Sequence, residues 1–134
     1  MAQKQFQFGF IGMGNMGYAI LMGLLKTWSP DQITYTKRTK NRADEISAQT
    51  KVLRSETNAS CAASSRFVVL AVKPQQMNAV IADIRDVITE DQIIISVAAG
   101  ISIADLTERI GRPCRIVRAM PNTPALVGEG MTGR

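Results

Sequence analysis

Short apolar runs alternate along the chain with stretches in which apolar residues recur at helical spacing. The runs are rich in β-branched and aromatic side chains, which is typical of strands. The clearest run, 67–72, contains no polar residue and therefore fits a central parallel strand that is covered on both faces. The predicted strands are 6–11, 33–36, 51–54, 67–72, 93–97 and 115–119.

Helices are predicted between these strands, where apolar residues recur every three to four positions. The first helix is apolar on more than one face, so we expect it to be well buried. In the last helix we expect Ile103, Leu106 and Ile110 to face inward, with Ser102 as its cap and Gly111 at its end. The predicted helices are 15–28, a second that ends near 49, 76–88 and 103–110. Residues 58–64 form either a loop or a short helix.

This order of elements is βαβαβ followed by βαβαβ, which predicts a single α/β domain over residues 1–134. The fold class is a Rossmann-like doubly wound parallel sheet with helices on both faces and right-handed crossovers. Ligands of such sheets bind at the carboxyl ends of the strands. Loops of unusual composition fall at those ends, namely 12–17, 37–39, 73–74, 98–100 and 121–124.

The loop after the first strand has the glycine spacing Gly12-x-Gly14-x-x-Gly17. Gly12 permits a tight turn, Gly14 lets a pyrophosphate approach the backbone, and Gly17 lets the helix lie close to the sheet. The helix N-terminus adds unpaired N–H groups and the positive end of a dipole. The spacing alone is weak evidence and also fits a plain glycine-rich loop. A strand before it, a helix after it and a second strand at a suitable distance favour dinucleotide binding.

The segment after the second strand is basic, with four cations in Lys37–Arg42 and no Asp or Glu from 33 to 43. An NAD site places an acidic residue near this point, whereas a guanidinium binds a 2′-phosphate bidentately. The segment therefore favours NADPH over NADH, and a solvated basic turn is the alternative.

Asn58 is either a helix cap or an amide that faces the base or ribose.

Composition narrows the class of protein. The chain has 134 residues, a formal net charge of +5, 46% hydrophobic residues and no histidine. No apolar run approaches the length of a membrane span and no signal-like segment opens the chain, so we expect a cytoplasmic protein with no membrane partner. The basic residues do not form a long run with interleaved aromatics, which argues against nucleic acid. Without histidine we expect no metal site, and Cys61 and Cys114 are expected to be free thiols.

Four motifs together resemble the N-terminal cofactor-binding domain of pyrroline-5-carboxylate reductase. They are 10–17 (FIGMGNMG), 70–74 (LAVKP), 96–100 (SVAAG) and 118–124 (RAMPNTP) followed by 130–132 (GMT). The resemblance implies NAD(P)H-dependent reduction of 1-pyrroline-5-carboxylate to L-proline, the last step of proline biosynthesis. It also implies a homo-oligomer for the full-length family.

The same resemblance implies the site residues. Cofactor binding is expected from Ile11, Gly12, Met13, Gly14, Asn15, Met16, Gly17, Lys37, Arg38, Thr39, Asn58, Ala71, Val72, Lys73, Pro74, Ala98, Ala99 and Gly100. Met120, Pro121 and Asn122 are expected near the reacting carbon. No catalytic residue is assigned, because hydride transfer to a protonated imine needs little acid–base chemistry from side chains. Lys73 is interpreted as positioning its loop and the cofactor.

Family members are expected to continue beyond Arg134 into a helical dimerisation domain that supplies most of the substrate pocket. We therefore expect this chain to bind the coenzyme and to turn over little or no substrate. One alternative is a non-catalytic NADP-binding or regulatory module. Another is a reductase of the 3-hydroxyacid dehydrogenase type, which shares the opening motif but not residues 120–124.

Overall fold

The computed structural model describes residues 5–37, 40–97 and 100–119, and only the backbone of residues 15 and 40–42. The strands are β1 (Phe6–Ile11), β2 (Ile33–Tyr35), β3 (Leu53–Arg54), β4 (Ser65–Leu70), β5 (Ile93–Ser96) and β6 (Arg115–Arg118). The α-helices are α1 (Asn15–Leu24), α2 (Lys40–Thr50), α3 (Asn58–Ala63), α4 (Met77–Ile84) and α5 (Ile103–Ile110). Short 3₁₀ turns cover Pro30–Gln32 and Pro74–Gln76.

The six strands form one parallel sheet in the order β3-β2-β1-β4-β5-β6. The chain moves outward from β1 to β3, crosses back to β4 beside β1, and then moves outward the other way. This reversal between β1 and β4 is the topological switch point at which doubly wound sheets bind ligands. The predicted fold class is confirmed.

Two apolar layers cover the sheet. On one face Leu21 of α1 and Ile46 of α2 pack with Phe10 of β1. On the other face α3, α4 and α5 pack against alternate positions of β1, β4 and β5. Neighbouring residues of β4 point into different layers and both are buried, Val68 at 0% and Val69 at 2% exposure. The interpretation of this run as a central strand is therefore confirmed.

Burial of two helices differs from the expectation. Met16 and Met22 of α1 are each 43% exposed, so the expectation that this helix is well buried is wrong for the side that carries them. Gly17 and Leu21 are buried, and Tyr18, Ile20 and Leu24 are half-buried against the same apolar layer. In α5, Leu106 and Ile110 are buried as predicted, but Ile103 is 41% exposed because it opens the helix before the first inward turn.

Several boundaries also move. β4 begins at Ser65 and ends at Leu70, two residues earlier than predicted at each end. The first helix ends at Leu24 rather than at Trp28, although the Trp28 N–H still donates to the Leu24 carbonyl at 2.8 Å. The fourth helix ends at Ile84, and Ile88 stays buried just beyond it. Within the described residues, no helix combines the length and the apolar character needed to cross a bilayer.

Candidate functional site

The glycine-rich turn leaves β1 at the carboxyl edge of the sheet, beside the end of β4. Gly12 has a φ of 84°, in the left-handed region that glycine adopts without strain. A Cβ atom at this position would lie 2.5 Å from Val72 Cγ1 and 3.0 Å from the Ala71 carbonyl oxygen. The Gly12 N–H donates to Thr36 Oγ1 at 3.0 Å, which ties the turn to the end of β2. The turn is therefore closed by its neighbours and requires glycine.

Gly14 has a different environment. It is exposed, and a Cβ atom built on it would meet no atom within 4 Å. It caps α1 with extended backbone, no side chain accepts a hydrogen bond there, and the first turn of α1 carries no acidic residue. The open space and the helix N-terminus together form a cradle that suits a phosphate group.

Gly17 brings α1 onto the end of β4. A Cβ atom there would lie 3.0 Å from Ala71 Cβ and 3.6 Å from the sulfur of Met13. Larger side chains on either partner would push the helix away from the sheet. The three glycines thus occupy the three environments that the spacing predicts, a tight turn, an open approach and a close helix–sheet contact.

The end of β2 is bonded to the glycine-rich turn by Lys37. Its Nζ donates to the Met13 carbonyl oxygen at 3.0 Å. Arg54, the last residue of β3, donates from Nη2 to the Lys37 carbonyl oxygen at 2.9 Å. Sequence reasoning missed Arg54. The available signal was a cation at the end of a strand predicted beside β2, because parallel neighbours end at the same edge.

Asn58 opens α3, on the face of the sheet opposite α1 and α2. The cap of α3 is Thr57, whose hydroxyl accepts from the Ser60 N–H at 3.0 Å, so the reading of Asn58 as the cap is wrong. Its amide Nδ2 donates to Asp83 Oδ2 at 3.1 Å. A contact of Asn58 with a coenzyme remains a prediction.

The loop after β4, residues 71–74, borders the glycine-rich turn on its other side. The Ala71 N–H donates to the Ile11 carbonyl at 2.9 Å, and Val72 lies against Gly12. Lys73 is exposed and caps the 3₁₀ turn Pro74–Gln76. Across the edge, Gly100 has a φ of 82° and open space around its Cβ position.

The remaining predicted site residues lie outside the described part of the chain. They are Arg38, Thr39, Ala98, Ala99, Met120, Pro121 and Asn122, together with the side chain of Asn15. Of the others, Ile11 and Met13 are buried and Met16 is exposed beside the turn.

The two cysteines do not add a nucleophile to this edge. Cys61 is fully buried and its thiol donates to the Phe10 carbonyl at 3.7 Å. Burial raises the pKa of Cys61 to about 12, which keeps the thiol protonated at neutral pH. Burial also raises the pKa of Cys114, which lies at the amino edge just before β6. Neither is paired in a disulfide.

Residues 7–100 match the family model described as NADP oxidoreductase coenzyme F420-dependent. A pyrroline-5-carboxylate reductase from Haemophilus influenzae is 44% identical over 124 residues, which cover 92% of this chain and 46% of that protein. The chain spans about half the length of the curated relatives it matches.

Two solved structures share the fold and part of the sequence. The pyrroline-5-carboxylate reductase of Coxiella burnetii superposes with a TM-score of 0.83 at 35% identity, covering 92% of this chain and 47% of that one. The pyrroline carboxylate reductase of Plasmodium falciparum, solved with NADP bound, gives 0.78 at 29% identity, covering 95% and 46%.

These matches run through the glycine-rich turn, β2, β4 and the end of β5, which are the elements that form the edge described above. The resemblance to pyrroline-5-carboxylate reductases indicated by the four motifs is confirmed. Since the family model covers well over half of the residues, the chain belongs to the family of NADP oxidoreductases, coenzyme F420-dependent.

Proposed function

We propose that residues 1–134 are the NAD(P)-binding domain of a reductase that converts 1-pyrroline-5-carboxylate to L-proline, with NADPH as the preferred coenzyme and NADH as a possible one. The observation that carries the proposal is the cradle at Gly14, with Gly12 and Gly17 fixing the turn on either side. Relatives that are 44% and 37% identical to this chain are named pyrroline-5-carboxylate reductase.

The described residues supply binding and orientation. The turn from Ile11 to Gly17 would hold the pyrophosphate on the N-terminus of α1. The first turn of this helix carries no acidic side chain that would repel the phosphates. Lys37 would lie beside the adenosine end, and the loop 71–74 and Gly100 would border the nicotinamide half. The hydride itself is supplied by the coenzyme, so this edge has to align it rather than exchange protons.

The other assignments are part of the same proposal. Arg38, Thr39, Asn58, Ala98 and Ala99 complete the coenzyme contacts. Met120, Pro121 and Asn122 lie near the substrate, and no metal takes part. The protein acts in the cytoplasm on a small-molecule substrate, and the full-length protein forms a homo-oligomer as part of this proposal. The 134-residue chain alone binds coenzyme and turns over little substrate.

Calorimetric titration of the chain with NADPH and with NADH tests the proposal, beside an assay for proline formation. The informative variant is Gly14→Asp. Aspartate is a good helix cap and Gly14 has room for it, so folding is maintained. Its carboxylate would occupy the cradle and repel the pyrophosphate, so we expect binding of both coenzymes to be lost.

Gly23→Asp is the matched control, because it adds the same charge near the other end of α1 at a position that is equally open. It should bind coenzyme as the parent does. The proposed function is wrong if the parent chain binds neither nucleotide. It is also wrong if the Gly14→Asp variant binds NADPH and NADH with the same affinities as the Gly23→Asp variant.

A further inference from the structure

The guanidinium of Arg54 reaches across the edge of the sheet to the segment that follows β2. Arg54 pairs in register with Tyr35, and its Nη2 donates to the Lys37 carbonyl oxygen at 2.9 Å. The residue is exposed. The cation at the end of β3 is therefore held at the start of the basic segment, although the chain separates them by 17 positions.

Two further bonds join this point to the glycine-rich turn. Lys37 Nζ donates to the Met13 carbonyl, and the Gly12 N–H donates to Thr36 Oγ1. The ends of β1, β2 and β3 are thus linked in sequence by three hydrogen bonds. A ligand group bound between β2 and β3 is held in a fixed relation to one bound at the turn.

The chemistry of Arg54 suits an anion. A guanidinium carries five N–H donors in a planar fork, and the bond to Lys37 uses one nitrogen. The acceptor is a neutral carbonyl oxygen rather than a carboxylate, so this bond leaves the positive charge unneutralised. Lys37, to whose carbonyl Arg54 is bonded, carries a second cation whose Nζ donates to Met13, and α2 begins three residues later, at Lys40.

We propose that Arg54 binds the 2′-phosphate of the adenosine ribose and so contributes to the choice of NADPH over NADH. The Lys37 carbonyl orients the guanidinium, and the remaining N–H groups face the phosphate oxygens. This inference rests on the proposed function and extends it to a residue outside the motifs that the coenzyme-binding assignments came from.

The test measures the dissociation constants of NADPH, NADH, adenosine 2′,5′-bisphosphate and 5′-AMP for the parent chain, Arg54→Gln and Arg54→Lys. Arg54→Gln removes a charge-assisted bond, so we expect the affinity for NADPH and the bisphosphate to fall by about tenfold or more. The affinities for NADH and 5′-AMP should change by less than about twofold. Arg54→Lys keeps the charge without the fork and should recover part of the loss.

Arg112→Gln is the matched control. Arg112 is also exposed and also donates to a backbone carbonyl, that of Arg85 at 2.6 Å, but it lies just beyond the C-terminal end of α5, away from the site. It should leave all four constants unchanged. The proposal is supported if Arg54→Gln loses affinity for NADPH and the bisphosphate but not for NADH and 5′-AMP. It is also supported if NADPH binding by this variant depends less on salt than binding by the parent chain.

Equal losses for NADPH and NADH in Arg54→Gln would assign Arg54 a purely structural role and overturn the inference while leaving the proposed function intact. Unchanged NADPH binding would overturn it as well. If the parent chain binds none of the four probes, the proposed function fails first and the inference fails with it.

Discussion

Single residues at the carboxyl edge have separate physical roles despite their common type. Glycine is needed at position 12 because its φ is 84° and because a Cβ atom there would lie 2.5 Å from Val72, whereas a Cβ atom at Gly14 would meet no atom within 4 Å. The glycine at 12 thus serves the fold, whereas the glycine at 14 leaves the open space that the proposed pyrophosphate site requires. Substitutions at the two positions should separate stability from binding.

Gly12→Ala should destabilise the chain by about 1–3 kcal/mol, because alanine at a φ of 84° is strained and its methyl group overlaps Val72. Urea unfolding followed by circular dichroism measures the change. Gly23→Ala is the control, since its position is helical and open, and it should leave stability unchanged or raise it by up to about 1 kcal/mol. Equal stabilities for the two variants would contradict the strain argument.

The buried thiol of Cys61 should make the unfolding free energy depend on pH in the alkaline range. Burial raises the pKa of Cys61 from 9.0 to about 12, so above pH 9 the unfolded chain loses this proton while the folded chain retains it. Its contribution to the unfolding free energy is complete below pH 9 and falls as the pH rises toward 12. Cys61→Ala should flatten the decline in stability over that range, by up to about 1.4 kcal/mol per pH unit.

Urea titrations at intervals from pH 8 to pH 10.5 would measure those slopes. Cys114→Ala serves as the comparison, because Cys114 is only partly buried and should affect the slope less. A Cys61→Ala slope identical to the parent's would show that the thiol does not couple to folding.

Among the elements, α5 has both ends defined by single residues. Ser102 Oγ accepts from the Asp105 N–H at 3.0 Å, and Gly111 ends the helix with a φ of 72°. The inner side of α5 buries Leu106 and Ile110 against the layer under β5 and β6. The helix is too short to be stable in isolation, so it depends on this packing and on its caps.

Ser102→Ala should lower the unfolding free energy by about 1 kcal/mol, because it leaves the Asp105 N–H without its acceptor. Ser102→Gly should lower the unfolding free energy by only a few tenths of about 1 kcal/mol, since glycine lets water reach the same N–H. Chemical denaturation of both variants measures the difference. A loss in Ser102→Gly as large as that in Ser102→Ala would mean that the hydroxyl has a role other than capping.

At the scale of the whole molecule, a coenzyme that binds three strand ends should stabilise the entire sheet. The bonds from Arg54 to Lys37 and from Lys37 to Met13 connect β3, β2 and the turn after β1, which continues into α1. Ligand binding to the folded state adds to its stability by mass action. A coenzyme bound as proposed would therefore couple the outer strand β3, whose Leu53 is 65% exposed, to the centre of the sheet.

NADPH at about one hundred times its dissociation constant should add about 2.7 kcal/mol to the unfolding free energy. Differential scanning calorimetry at increasing NADPH would show the corresponding rise in Tm. Gly14→Asp, which blocks the cradle, should show no rise under the same conditions. A Tm that increases equally in both chains would indicate binding elsewhere.

Much of the fold follows from local pattern. The run 67–72 was correctly interpreted as a central strand, although its bounds shift by two residues, and the tight turn at Gly12 and the caps at Ser102 and Gly111 were correctly predicted from the local sequence. The exposure of Met22 and Ile103 was not, since apolar character shows that a residue can be buried but not whether a partner lies opposite it. The fold class is shown by the structure, while the coenzyme contacts remain predictions.

The sequence by itself determined the order of the elements, the parallel sheet and the tight turn at Gly12, because these depend on backbone preference and on periodicity along the chain. Only the tertiary structure decided which side chains meet at the edge. Arg54 reaches Lys37, Lys37 reaches Met13 and Asn58 bonds to Asp83 across 17 to 25 positions. These pairs depend on strand register and on the crossovers, which bring distant residues together only when the whole sheet forms.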